Sequence, residues 1–445
     1  MEAASLGRVS SVKKLLESGA DIAVVDKKSQ DAKYHAKMNK QDAVVSFLDM
    51  WLLGYRKDEE AGDKIDNDPA TSATSSMHSP SDDDCCVELL NSERNNYVRK
   101  RFGTCKKLLW NRLISKPYSG WIEPLYACGH TIYACIENPP KNLIEDMELT
   151  AIDLDSGKLL GLRKMQNIYN YRASFISKGV FFLSDRNGFT PLRPDLNSSD
   201  LIEVGRSDSS LLVGDEVIYE TKDGVHFLDP HSRRSRMTIR RRHVEKIAAS
   251  NGILVASSRD YKLAGFRVDD GVLLWEQDLA SRSISRGTDS ITRSWSTSVP
   301  VIYEDKIYLR LLARLMCFSL IDGSLLWEKH DKQFHSISRV VLGHNKLYGY
   351  DGSTLTCLDA HTGEVVFTRA LFDKQGFGTT NLPILLEDSI IIGDKGINAF
   401  SIVNGDSLWS FLPKKANQER FMAQAVYIND RLLAMGSDGV LYCFG

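Results

Sequence analysis

Four kinds of residue in this chain could do chemistry. Asp153, Asp229 and Asp359 recur at one point of a repeated turn, and a carboxylate held there could act as a general base or bind a divalent cation. The competing role is structural, because a turn aspartate hydrogen-bonds the backbone just beyond it. Seven of the ten histidines lie between His226 and His361 without the i, i+4 or Cys-x-x-Cys spacing of a zinc site, so no metal ligand is expected. There is no Gly-x-Ser-x-Gly elbow and no cysteine with supporting context, so no catalytic residue is expected either. Two basic runs remain. Arg233, Arg234 and Arg236 lead into Arg240, Arg241 and Arg242, and a second run extends from Arg94 to Lys107. Either could attract phosphate or an acidic protein segment, and the alternative for both is solvated charge that discourages edge pairing. Ser79 before Pro80, and Ser81 before Asp82-Asp83-Asp84, fit proline-directed and acid-directed kinases; phosphate there would add charge.

The elements that must position these groups form a repeat. Six segments share an apolar pair, a turn and a second apolar stretch. Five turn on Gly157, Gly271, Gly323, Gly363 and Gly405, as in LMCFSLIDGSLLW and LTCLDAHTGEVVF, and a degenerate copy, VHFLDPHSRRSRM, follows Gly224. Strand, tight turn and strand make a β-hairpin. Four residues past the glycine stands Trp275, Trp327, Phe367 or Trp409, with Gly161 in the first copy. Between the hairpins, segments such as VPVIYEDKIYLR and AVYINDRLLAMG give two further strands around a polar turn. One period is thus four strands in about 40 residues, the measure of a propeller blade. At the end of the sequence SDGVLYCFG stops after a third strand, while TCKKLLWNRL upstream carries Leu108, Leu109 and Trp110 in the places of Leu325, Leu326 and Trp327. Residues about 104–113 are therefore expected to complete the last blade and hide two sheet edges, and the blades number eight.

The glycine hairpin resembles the repeat of the pyrroloquinoline-quinone-like propellers, the family that includes quinoprotein dehydrogenases and BamB-like proteins. Asp359, Thr362 and Gly363 stand at the family positions. The resemblance implies that large aromatics dock each blade on its neighbour, here Trp110, Trp275, Trp327, Phe367 and Trp409. A quinoprotein enzyme also needs a tryptophan beneath the quinone, an acidic and an amide ligand for calcium, and a general-base aspartate. That set is not found at recognisable positions. Cys85-Cys86 resembles the vicinal disulfide of some quinone-dependent alcohol dehydrogenases, yet it precedes the first blade in an acidic stretch. No cofactor is expected.

Residues 1–54 repeat a helical spacing with an offset of 32, Ala4 with Ala36, Val12 with Val44 and Leu16 with Leu48. They resemble ankyrin repeats, with Gly19-Ala20-Asp21 ending one helix pair. Residues 55–100, acidic and rich in Ser, Thr and Pro, are expected to be a disordered linker before a propeller over 101–445. The expected fold class is mainly β, an eight-bladed β-propeller with a small N-terminal α-helical ankyrin-like segment. A net charge of -2 argues against a polyanion partner, and no RNP or zinc-finger signature accompanies the arginines. No apolar run reaches the roughly 18 residues of a membrane helix, no leader is visible after Met1, and cysteines inside apolar strands suit a reducing compartment. The expectation is a soluble cytoplasmic monomer with protein partners and no membrane. Its function is read as a non-catalytic protein-interaction scaffold or adaptor. The alternatives are a quinone-dependent oxidoreductase using the propeller funnel and a nucleic-acid-associated protein using the Arg233–Arg242 cluster.

Overall fold

The computed structural model describes residues 12, 32–39, 44, 48, 84–86, 107–114, 122–137, 146–166, 174–185, 187–198, 200–207, 209–280, 299–311, 313–331, 340–371, 383–394, 396–412, 425–436 and 439–445. Two compact units divide the chain, residues 1–76 and 77–445.

The second unit is an eight-bladed β-propeller of antiparallel four-stranded sheets, one of which carries a fifth strand. Blades 1 to 7 run through residues 122–166, 175–203, 210–239, 244–278, 301–330, 340–370 and 384–411. Blade 8 takes three strands from 426–444 and its outer strand, Leu108–Leu113, from the start of the unit. That strand pairs with Val440–Phe444, Leu113 opposite Val440 and Leu108 opposite Phe444, and so closes the ring.

The sequence specifies this layering strand by strand. First strands neighbour one another around the axis. They are buried on both faces, so they read as unbroken apolar runs such as Val340–Gly343. Outer strands alternate, half-buried with exposed, as in Leu108–Leu113. The apolar core lies between blades. Ala248, Val255 and Leu263 of blade 4 meet Ile302, Leu309 and Met316 of blade 5, and Leu433, Leu441 and Cys443 of blade 8 meet Leu125, Ile132 and Ile152 of blade 1. Turns between first and second strands place His344-Asn345 and Asn429-Asp430 at positive φ, between 46° and 57°, the conformation of type I′ hairpins.

Two expectations from sequence change here. In residues 1–54 the structure describes the helix Ala32–Met38, with Ala36 buried, and the helical, buried Val12, Val44 and Leu48; ankyrin repeats are not shown. The acidic stretch 55–100 was expected to lack structure, yet Asp84–Cys86 forms a strand. The remainder of that stretch, Ser79 and Ser81 included, lies outside the described residues.

Candidate functional site

The two rims of the propeller are built on different rules. One rim carries the turns within hairpins, and between the third and fourth strands these are uniform. They span residues 154–158, 268–272, 320–324, 360–364 and 402–406 in blades 1, 4, 5, 6 and 7. In each, the glycine N–H donates to the carbonyl four residues back, as Gly363 does to Asp359. The other rim carries the connections from blade to blade. Their lengths run from residues 240–243 between blades 3 and 4 to residues 279–300 between blades 4 and 5.

The candidate carboxylates belong to the uniform rim. Asp359 Oδ1 accepts the Thr362 N–H at 2.8 Å, the His361 N–H at 2.9 Å and the Thr362 hydroxyl at 3.1 Å. These donors, the Thr362 N–H foremost, hold its pKa below the usual carboxylate value. Asp153 and Asp229 are lowered likewise, each chiefly by a serine hydroxyl, Ser156 and Ser232. A carboxylate whose pKa is held down makes a poor general base. Among the described residues no group of three or more His, Cys, Asp or Glu is placed to hold a metal ion.

The bulky residue after each glycine lies on the next blade. The Trp275 indole N–H donates to the Leu320 carbonyl at 2.9 Å, Trp327 to Ala360 at 3.0 Å, and Trp110 to Leu154 at 2.9 Å. In every case the accepting carbonyl stands three residues before the neighbour's turn glycine. The same residue's N–H donates to the first turn of its own blade, as Leu320 does to Asp305. The ring packs on the glycine itself: a Cβ on Gly323 would overlap Trp275, and one on Gly363 would lie 2.8 Å from Trp327. Each ring also needs a small residue opposite it on its own third strand. Gly265 faces Trp275, Cys317 faces Trp327, Cys357 faces Phe367, Ala399 faces Trp409 and Cys443 faces Trp110. The Phe367 side chain has no N–H, and the Tyr348 hydroxyl donates to the equivalent carbonyl, Ile402, at 3.0 Å. Trp409 meets Phe444 edge-on at 5.4 Å.

Two of the junctions that depart from this scheme show how, and sequence reasoning missed both. Gly161 leaves a space opposite Ala151, and Leu196 of blade 2 fills it, buried and at φ 62°. At blade 3 the sizes are exchanged: Met237 packs on Gly271 of blade 4, with the large Phe227 opposite it. Arg236 supplies the donor, reaching the Val268 carbonyl at 3.0 Å and the Asp269 carbonyl at 2.5 Å while paired to Glu216 at 2.7 and 2.8 Å.

The arginine run is therefore not one patch. The six-residue strand Arg234–Ile239 carries the chain about 20 Å from Arg234 to Arg240 and puts them on opposite rims. Arg233 donates to the Asp200 carbonyl at 3.2 Å, and Arg241 pairs with Glu276 at 2.7 Å. Arg234, Arg240 and Arg242 are exposed. Of these, Arg240 and Arg242 sit on the rim of variable connections, beside exposed His243.

The propeller is similar in fold to solved structures. BamB from Moraxella catarrhalis matches at TM-score 0.54 with 14% identity, covering 76% of this chain and 99% of that one. The computationally designed Ika8 protein matches at 0.54 and 13%, covering 75% and 99%, and a europium-containing methanol dehydrogenase at 0.52 and 10%, covering 80% and 89%. By sequence, the outer membrane protein assembly factor BamB of Kangiella koreensis is 26% identical over 151 residues, 33% of this chain. That alignment spans 36% of the relative's length. These relatives overturn the cytoplasmic placement expected from sequence, and the expectation of no membrane is not borne out. The cysteine argument failed for a physical reason. Burial pushes the Cys317 thiol up to about 12 and the Cys357 thiol up to about 11, so such thiols stay inert in either redox compartment and report on neither. The family model described as outer membrane protein assembly factor BamB matches residues 145–343 and 314–444, and the chain belongs to that family.

Proposed function

We propose that this propeller is a non-catalytic protein-binding module, acting as an assembly factor for membrane proteins in the manner its relatives' name describes. The observation that carries this reading is the contrast between rims. One rim spends its carboxylates on its own turns. The other varies its connections between four-stranded blades, from residues 240–243 to residues 279–300, which is how rigid scaffolds present recognition surfaces. The likeness to methanol dehydrogenase is one of fold and brings no quinone site with it.

The test is capture of partners by the intact chain under chemical cross-linking. Two variants are compared with it. One shortens the connection 279–300 to the length of 240–243, and the other replaces the turn 360–364 with that of 320–324. A stoichiometric partner that is lost with the first variant and kept with the second is expected. Equal retention by both would overturn the assignment of the binding rim.

A further inference from the structure

The shortest connection of the variable rim carries charge that its surroundings do not neutralise. Residues 240–243 link blades 3 and 4, and Arg240, Arg242 and His243 within it are exposed. Between the two arginines, Arg241 is tied down. Its guanidinium lies 5.6 Å from the centroid of the Phe266 ring and 2.7 Å from Glu276. Glu276 also takes Lys262 at 2.8 Å, so one carboxylate answers two cations. Glu245 is spent on Arg259, again at 2.8 Å. The turn between the second and third strands of blade 3 stands beside this connection, since a Cβ on Gly224 would meet the Ile239 carbonyl and the Arg241 nitrogen. That turn adds Lys222, also exposed. Among the described residues, Lys222, Arg240 and Arg242 have no ion pair. The backbone beneath them is fixed, because the Arg259 N–H donates to the His243 carbonyl at 2.9 Å.

We propose that Arg240 and Arg242, with Lys222 beside them, bind a short acidic segment of a protein partner, a run of aspartates or glutamates. This rests on the protein-binding reading above and names the chemistry of one of its contacts. The local excess of positive charge selects an anion, and guanidiniums pair with carboxylates through parallel hydrogen bonds. The patch is also narrow. Exposed Asp223 and Asp260 flank it in the turns of blades 3 and 4, and the whole chain carries a net charge of -2. An extended polyanion, whether a nucleic-acid duplex or an anionic bilayer, would meet those carboxylates along with the arginines. A short acidic run meets the arginines and passes between the aspartates. A connection of this length, held at its base, loses little entropy when a partner binds.

The test titrates the full-length chain, at low ionic strength, into a fluorescent oligoglutamate peptide and into its oligoglutamine counterpart. Arg240→Ser combined with Arg242→Ser is expected to weaken binding of the glutamate peptide about tenfold. Arg234→Ser removes an exposed arginine from the opposite rim and should change that binding by less than about twofold. Equal losses in the two variants would show diffuse attraction, and equal binding of the glutamine peptide would show that charge is not what is recognised. Either result overturns the proposal. Vesicles containing phosphatidylglycerol are the third probe. Sedimentation of the chain with them that the paired serine substitutions abolish, with the glutamate peptide left unbound, would assign the patch to lipid phosphate and overturn the proposal as well. Failure of the protein-binding reading would appear separately, in the capture experiment. A partner lost on shortening 279–300 but kept with both serines in place would leave that reading standing while this assignment falls.

Discussion

The junctions between blades 4, 5 and 6 and those around blades 1 to 3 meet the same packing demand by different means. In the first arc an indole fills the space over a glycine and donates to a carbonyl three residues before it, with Gly265 or Cys317 kept small on its other side. In the second arc the pieces are shared out. Leu196 arrives from the neighbouring blade to cover Gly161, and Phe227 with Met237 exchange large for small while Arg236 takes over the donor role. What is held constant is the filled volume and one satisfied carbonyl, not the residue type. A propeller can therefore lose its signature at a blade and keep its ring.

The largest test of that comparison is Trp275→Ala, which empties a buried ring site and strips Leu320 of its donor. We expect a loss of about 3–5 kcal/mol in denaturant unfolding. An unchanged midpoint would break the comparison at its best-formed junction. Next is Gly323→Ala, where the left-handed backbone alone costs about 1–2 kcal/mol and the added methyl overlaps Trp275. Gly252, at φ 71° with open space around its Cα, supplies the control. Gly252→Ala should cost only the backbone part, and equal losses would remove the role of ring contact. Arg236→Met is expected to cost about 1–2 kcal/mol, the range of a charge-assisted hydrogen bond reduced for partial exposure. Adding Met237→Trp with Phe227→Cys should recover part of that loss by installing the other arc's solution, as read from thermal melts. Smallest is Asp359→Asn. The folded pKa of Asp359 lies below its unfolded value, so its contribution is full above about pH 4 and fades as pH falls through the folded pKa. The stability gap between wild type and variant should shrink on acidification below that point. A gap that stays constant would show the turn to be indifferent to the charge.

Legibility in the sequence followed the same division. Where the turn holds glycine and the strand holds tryptophan, spacing alone located the hairpins of blades 4 and 5. The hairpin of blade 2 was not among the repeats identified, because it turns without glycine, through Leu196 at positive φ, and its outer strand has only the two residues Ile202–Glu203. The three cysteines in apolar strands were read as a sign of compartment. They are instead the small residues that sit beneath Trp110, Trp327 and Phe367. The arginines seemed one patch because adjacency in sequence says nothing of which rim a residue reaches once a strand intervenes. The strand at Asp84–Cys86 lies outside the repeat and was not anticipated; it pairs antiparallel with Tyr126–Cys128.

The closing of the ring also sets how it gives way under load. Lys107 and Gly445 exchange both of their main-chain hydrogen bonds, so the strand entering blade 8 and the strand leaving it meet at the same end of their ladder. Tension applied between residues 107 and 445 therefore peels the two apart, loading one rung at a time instead of shearing all rungs together. Blades 2 to 7, each folded from an unbroken stretch of chain, carry none of that force directly. The propeller has a single seam, and the polarity of the chain makes it a zipper.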